Sequence, residues 1–394
     1  VPRFAERTRR IAASATVAMN NLVAQKRAKG IDMVSFNIGE PDFDTPQHVK
    51  EAAIAALRAG RTKYTPGAGI PELRAAIADA ERKDNGIPCT ARHVVVTPAK
   101  HGIFLSLQAT TQQGDEVLLP DPAWVSYEPI VQWAHATPVP VPILADDGFR
   151  MRPEAVAERI TRKTKAIILN SPSNPTGGVN TPEDVRGIVE LAIDHDLWVI
   201  SDEIYQKLLY DGRHVSAAAL PGGWERTFTV NGLSKSFAMT GWRTGWVVAP
   251  DAAVAEVDKL QSQSLTHITS FAQDGALAAV AGPQDSVAAM RDEYRRRRDL
   301  MVAGLNALPG VSCPTPAGAF YCFARFDPRQ WGGLLDDALA MGMLERADVA
   351  VTPGLAFGAR GASHVRLSYA THPDRIREGL RRLGAWQKEL RSVG

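Results

Sequence analysis

A lysine and an arginine stand eight residues apart in Asn231-Gly-Leu-Ser-Lys235-Ser-Phe-Ala-Met-Thr-Gly-Trp-Arg243. Lysine amines form Schiff bases with carbonyl groups, and arginine forks onto phosphate. A small molecule carrying both an aldehyde and a phosphate would use both residues, with Ser234 beside them. The stretch proves little alone, because most lysines are solvated surface groups.

Other chemistry-bearing residues follow short apolar runs. The run Leu197–Asp202 ends in Ser201-Asp202-Glu-Ile-Tyr205, which puts a carboxylate after a buried strand. Such a carboxylate needs a cationic partner or a helix to cap. A protonated pyridine nitrogen is one such partner, which makes pyridoxal 5'-phosphate the cofactor that unites Lys235, Arg243 and Asp202. The run Lys165–Asn170 leads into Ser-Pro-Ser-Asn174-Pro-Thr-Gly-Gly178. There Asn174 is placed to bond a ring oxygen, and the Asn174–Pro175 bond is a candidate for the cis form. Trp124, after Glu116–Leu119, is either a core anchor or a platform for a flat ring. The turn Pro98-Ala99-Lys100-His101-Gly102 enters a helix whose first N–H groups suit phosphate. Arg366, in His-Val-Arg-Leu-Ser-Tyr369, is either a structural ion-pair member or a clamp for an α-carboxylate. Gly67-Ala-Gly69, beside Tyr64, lacks the strand–turn–helix setting of a nucleotide loop.

The elements that must position these residues alternate in type. Strand candidates at Val94–Thr97, Glu116–Leu119, Lys165–Asn170, Leu197–Asp202, Thr227–Val230 and Trp246–Ala249 are separated by helical patterns such as Pro182–His195, capped by Thr181. This predicts an α/β domain with a mostly parallel sheet flanked by helices, whose ligands bind beyond the carboxyl ends of the strands. After about residue 285 the pattern shifts. A long helix over Gln284–Leu308, strands at Gly318–Arg325 and His364–Tyr369, and a terminal helix from Pro373 predict a smaller α+β domain. An N-terminal helix over Phe4–Lys29 is expected to join it or to pack on a partner subunit. The expected division is residues 1–45 with the small domain, 46–284 as the large cofactor-binding domain and 285–394 as the small domain.

The chain has 394 residues, 45% hydrophobic and 22% charged, with a net charge of +2. That balance gives no reason to expect nucleic acid or an anionic membrane as partner. The basic run Arg295–Arg298 reads as a solvated helix face. Three separated cysteines argue for a reducing compartment, taken here as the cytoplasm. No histidine spacing suggests a metal, and no apolar run approaches the ~18 residues of a membrane span.

Taken together, these pieces resemble the fold-type I pyridoxal-phosphate enzymes, and within them the prokaryotic aspartate/aromatic/prephenate branch of the aspartate aminotransferase family. The resemblance runs from Ser14 to Arg366 through Gly39-Glu-Pro-Asp-Phe-Asp, Lys63-Tyr-Thr-Pro, Asn170 to Gly177, Ser201 to Tyr205, Ser234 to Arg243 and Val365 to Tyr369. It implies seven strands in the mostly parallel sheet of the large domain, and an amino-acid aminotransferase with ping-pong kinetics, exchanging the amino group of an L-amino acid with a 2-oxo acid such as 2-oxoglutarate. It implies that Lys235 carries the cofactor and moves protons, Asp202 pairs with the ring nitrogen, Tyr205 and Asn174 bond the ring oxygen, and Trp124 stacks on the ring. It further implies that Arg243, Ser234 and the backbone of Ala99 and Lys100 hold the phosphate, with Tyr64 reaching in from the other subunit of a homodimer. Arg366 would bind the α-carboxylate, with Gly39 nearby, and cis bonds are implied before Pro122 and Pro175. The 98–102 turn departs from the family's two glycines followed by lysine. The lysine reads as displaced by one place, with His101 where relatives engage an acidic side chain. Ser14 and Thr16 are retained. Gly232 stands where many relatives have serine. Aspartate or an aromatic or neutral amino acid therefore stays open as substrate. So do a β-lyase or decarboxylase reaction on the same scaffold and, more distantly, a ligand-sensing domain.

Overall fold

The computed structural model describes residues 2–5, 8, 9, 11 and 15–393. At its centre is a seven-stranded sheet built from β2 (Val94–Val96), β3 (Glu116–Asp121), β4 (Thr137–Pro142), β5 (Thr164–Asn170), β6 (Trp198–Asp202), β7 (Thr227–Gly232) and β8 (Gly245–Val248). The spatial order is β2-β8-β7-β6-β5-β3-β4. All neighbours from β7 to β4 run parallel; only β8 is antiparallel, to both β7 and β2. The central strands are buried on both faces, which explains their unbroken Val/Ile/Leu character. One core cluster packs helix Ala99–Thr110 on the sheet through Ile103, Leu105 and Leu107; another packs helix Pro182–Asp194 through Val185, Ile188 and Val189.

The edge strand β4 escapes the sequence pattern because it reads Thr-Pro-Val-Pro-Val-Pro. It pairs only with β3. Its prolines can therefore leave their missing N–H on the open side, where no ladder bond is lost.

The helix Pro182–Asp194 starts as its sequence predicts. Thr181 accepts from the Asp184 N–H, and Asp184 returns a bond to the Thr181 N–H, with proline in the first turn. The helix Asp285–Asn306 follows, and then a four-stranded antiparallel sheet. This second sheet comprises β9 (Val311–Ser312), β10 (Tyr321–Phe326), β12 (Thr352–Pro353) and β13 (His364–Ser368), ordered β12-β13-β10-β9. The terminal helix spans Pro373–Val393.

The N-terminal segment joins this second unit. Strand β1 (Val34–Ser35) pairs in parallel with β11 (Val349–Ala350), and Lys26 bridges to Asp348 at 2.7 Å. Of the expected N-terminal helix, Ala15–Ala28 is helical, and Phe4 lies in irregular chain. Ser14 lies outside the described residues, as does the side chain of Thr16, so the expectations for both stand outside the structure. Among the described residues no helix is long and apolar enough to cross a membrane, and no cluster of His, Cys, Asp and Glu could hold a metal ion. All three cysteines are buried free thiols.

Candidate active site

Parallel strands end together, so their first non-strand residues share one rim. Asn170 and Asp202 are paired at the ends of β5 and β6. Beside them, β7 runs into the short helix Leu233–Ser236, which carries Ser234 and Lys235. From the other side come Gly39 and, from the middle of β13, Arg366. These residues line a pocket of about 410 Å³ together with Ala99, Lys100, Trp124, Asn174, Tyr205 and Arg243. That size suits a small cofactor and substrate.

Asp202 is buried at 4% exposure and accepts a 2.6 Å bond from the Tyr127 hydroxyl. A second, longer bond of 3.3 Å comes from the Ile204 N–H. Burial raises its pKa to about 6, against those hydrogen bonds. No cation of the described residues forms an ion pair with it, so it is a carboxylate equipped for a positive group that enters the pocket.

Lys235 points its amine at the Gly39 carbonyl, 2.7 Å away. Burial lowers its pKa to about 8; Glu40 opposes the shift, and Arg366 and Arg243 add to it. An amine with that pKa is partly neutral near physiological pH, as a nucleophile and proton carrier requires.

Arg366 is buried at 3% exposure, and burial lowers its pKa. Its Nη1 donates to Asn174 Oδ1 at 2.9 Å and its Nη2 to the Asn37 carbonyl at 2.8 Å. Its Nε has no partner among the described residues. A buried guanidinium bonded only to neutral oxygens is poorly compensated. It fits an incoming carboxylate, which would supply both charge and acceptors.

Asn174 is held by its own N–H, which donates to Asn170 Oδ1 at 2.9 Å. Since its Oδ1 serves Arg366, its Nδ2 is left to donate into the pocket. The bonds before Pro122 and Pro175 are cis, and so is Ser171–Pro172, which the sequence reading did not foresee. Trp124 is half-buried, with its edge against Tyr127 at 5.3 Å between ring centroids. Arg243 adopts a φ of 55° and donates to the Thr240 carbonyl at 2.8 Å. The helix that begins at Ala99 presents its first free N–H groups beside Ser234 and Arg243.

Two expected residues are not brought into this pocket. His101 turns away, 3.1 Å from the Ser264 hydroxyl and stacked on Phe104, and burial lowers its pKa. Lys100 faces the pocket instead, with its amine 4.8 Å from the Trp124 ring centre. Neighbouring helical residues diverge by about 100°, so one position in this first turn faces inward and the next cannot. The expectation that His101 engages the substrate side chain is corrected accordingly. Tyr64 lies on the surface of the chain at 89% exposure, edge-on to His267. Residues that sequence reasoning missed include Tyr127, Tyr321, Glu40 and Thr240, all pocket-lining. Tyr127 sits three places after Trp124, and its only signal was that spacing.

The chain matches the family described as aminotransferase class I and II over residues 31–383. It belongs to that family. It is 44% identical to a probable aspartate/prephenate aminotransferase of Aquifex aeolicus, over 98% of this chain and 99% of the relative. It is also 44% identical to the aspartate/prephenate aminotransferase of Thermus thermophilus, over 94% of each. Among solved structures, the Thermus thermophilus aspartate aminotransferase with maleate superposes with a TM-score of 0.93 at 42% identity, covering 98% of this chain and all of the other. The aromatic aminotransferase of Pyrococcus horikoshii gives a TM-score of 0.89 at 43% identity, over 94% of this chain and all of the other. This aminotransferase thus transfers the amino group of an L-amino acid to a 2-oxo acid, on the fold that its strand ends announce.

Proposed function

We propose that the pocket holds pyridoxal 5'-phosphate and that the enzyme prefers acidic substrates of the aspartate type. The donor set fits the cofactor group by group. Asp202 is a buried carboxylate without an ion-paired cation among the described residues, Lys235 is an amine of lowered pKa, and the start of helix Ala99–Thr110 with Ser234 and Arg243 suits an anion. The observation that carries the amino-acid reading is Arg366, a buried guanidinium that lines the pocket with Lys235 and has no carboxylate partner among the described residues.

The bound cofactor supplies an aldehyde to condense with amines and a cationic ring that accepts the electron pair left at the substrate Cα. The residues do the rest. Arg366 fixes the α-carboxylate by paired hydrogen bonds and so orients the Cα–H bond. Lys235 Nζ would take the proton from the substrate Cα and hold it for delivery across the amino nitrogen, at the carbon that the aldehyde supplied. Asp202 would hold the proton at the ring nitrogen and so keep the ring cationic. Tyr205 and Asn174 Nδ2 would donate to the ring oxygen, and Trp124 would pack on the ring and exclude water. Gly39 contributes its carbonyl, which accepts from the Lys235 amine at 2.7 Å.

Lys100 supports the acidic preference. Its ammonium faces the pocket, and no carboxylate of the described residues forms an ion pair with it. Burial lowers its pKa, and Arg243 adds to the shift. A carboxylate on the substrate side chain would offset both effects. The names of the relatives point the same way. We further propose a cytoplasmic homodimer that completes each site across the interface, and we take the domain division as 1–45 with 285–394 and 46–284.

The test is a matrix of aspartate, glutamate, tyrosine, phenylalanine and cysteine derivatives against 2-oxoglutarate, oxaloacetate and pyruvate. Single-turnover spectra with each donor alone accompany it. Conversion to the pyridoxamine form by aspartate, reversed by a 2-oxo acid, is the expected result. Release of ammonia and pyruvate without amino transfer would instead assign a lyase. Lys100→Ala should raise KM for aspartate at least about tenfold over that for phenylalanine.

A further inference from the structure

Tyr321 has no part in the roles above, yet it touches two of the groups that fill them. It lies on β10 with 1% exposure. Its hydroxyl is 2.8 Å from the Tyr205 hydroxyl, its only hydrogen-bond partner among the described residues. The face of its ring lies under the Arg366 guanidinium, whose carbon is 4.6 Å from the ring centre. Its position is built in: a Cβ at Gly39 would fall 2.4 Å from the Tyr321 hydroxyl, so glycine leaves the room that the phenol uses.

Each phenol has one proton to give. If Tyr205 gives its proton to the cofactor's ring oxygen, the proton between the two tyrosines must come from Tyr321. That order makes a chain, Tyr321 O–H to Tyr205 O–H to ring oxygen, in which each bond polarises the next. The ring acts on a different group. A buried arginine with neutral hydrogen-bond partners gains from an aromatic face, which steadies the cation without occupying its N–H groups. Those N–H groups stay available for the substrate carboxylate.

We propose that Tyr321 is a positioning residue that joins the two halves of the site: its hydroxyl strengthens the Tyr205 donor, and its ring braces Arg366. The inference rests on the cofactor reading given above. A purely structural tyrosine would lower stability on replacement but would not move either half selectively.

The two actions separate by substitution. Tyr321→Phe deletes the hydroxyl and keeps the ring; Tyr321→Leu deletes both. The first readout is the pH titration of the absorbance of bound pyridoxal phosphate. The second is the Kd of maleate, a dicarboxylate without an amine. Weakening a donor to the ring oxygen destabilises the form with more negative charge, so Tyr321→Phe should raise the titration midpoint by about half a pH unit or more, roughly threefold in the proton equilibrium. In a Tyr205→Phe background the same change should add nothing, because the link is already cut. Maleate should bind Tyr321→Phe within about twofold of the parent and Tyr321→Leu about tenfold more weakly. If the Leu chain does not fold, Tyr321→Met fills the volume without a ring face.

A midpoint unchanged in Tyr321→Phe, or a shift that persists undiminished without the Tyr205 hydroxyl, overturns the hydroxyl link. Equal maleate affinity with and without the ring overturns the brace. Failure of the parent chain to take up pyridoxal phosphate would instead overturn the underlying reading, and it is seen before any variant is compared.

Discussion

Burial disfavours the charged form of two side chains in the pocket and so shifts their pKa values in opposite directions. Lys235, drawn down to about 8, holds a growing neutral fraction as pH rises toward that value. Only the neutral amine attacks an aldehyde, so pyridoxal phosphate uptake by the cofactor-free protein should quicken about tenfold per pH unit and level off near 8. Stopped-flow absorbance measures this directly; a plateau delayed to the ordinary lysine range near 10 would contradict it. Lys235→Ala should abolish the covalent absorbance and turnover at every pH. For Asp202 the folded pKa of about 6 exceeds the ordinary 3.8. Between those values the folded chain keeps a proton that the unfolded chain has released. Stability of the cofactor-free protein should therefore fall as pH rises through about 4 to 6, by at most about 3 kcal/mol. Asp202→Asn removes that titration. Compared by urea midpoints without cofactor, the variant should outlast the parent at pH 7, and the gap should narrow as pH falls through that window toward about 4, while activity is lost. Equal midpoints at pH 7 would mean that Asp202 pays no such burial cost.

At the scale of elements, the loop after β12 ties the two units together across the site. The Ala123 N–H donates to the Phe357 carbonyl at 2.7 Å, and the Arg360 N–H donates to Asp121 at 3.1 Å. Phe357 in turn lies 4.8 Å from the Arg366 guanidinium. Gly358, at a φ of 126°, makes this approach possible, since a Cβ there would sit 2.1 Å from Asp121 Oδ1. Gly358→Ala should therefore push the loop away and raise KM for the amino acid about tenfold, with cofactor affinity within about twofold. An unchanged KM would show that the loop does not hold Arg366. This tie was invisible in the sequence, because it depends on a contact between residues more than 200 positions apart. What was legible were features with local causes. Asp202, Asn170 and Trp124 follow apolar runs, and parallel strands put such residues on one rim. Strand β4 was hidden by Pro138, Pro140 and Pro142, whose usual meaning is a break. Tyr127 and Tyr321 were hidden because a buried aromatic reads as core until its hydroxyl partner is known. His101 and Lys100 could not be told apart without the helix start that aims one of them inward.

For the whole molecule the open edge of the pocket matters most. Tyr64 stands at 89% exposure, held at its base by an edge-on contact with His267. A large aromatic so exposed, in a chain whose proposed phosphate site includes Arg243 of the pocket lining, suits a reach into a second copy. If each Tyr64 serves the partner's phosphate site, the two mutants Lys235→Ala and Tyr64→Ala complement each other. A mixed dimer has one site with an intact Lys235 from one subunit and an intact Tyr64 from the other. Random reassembly of equal amounts gives half mixed dimers, and so about a quarter of the sites should bind pyridoxal phosphate covalently with the parent's affinity. The Lys235→Ala dimer alone has no covalent site, and the Tyr64→Ala dimer alone has only weakened ones. Absorbance titration of the mixture against each pure variant reads the difference. If Tyr64 instead acts within its own chain, every subunit of the mixture carries one defect, and no site of parental affinity appears.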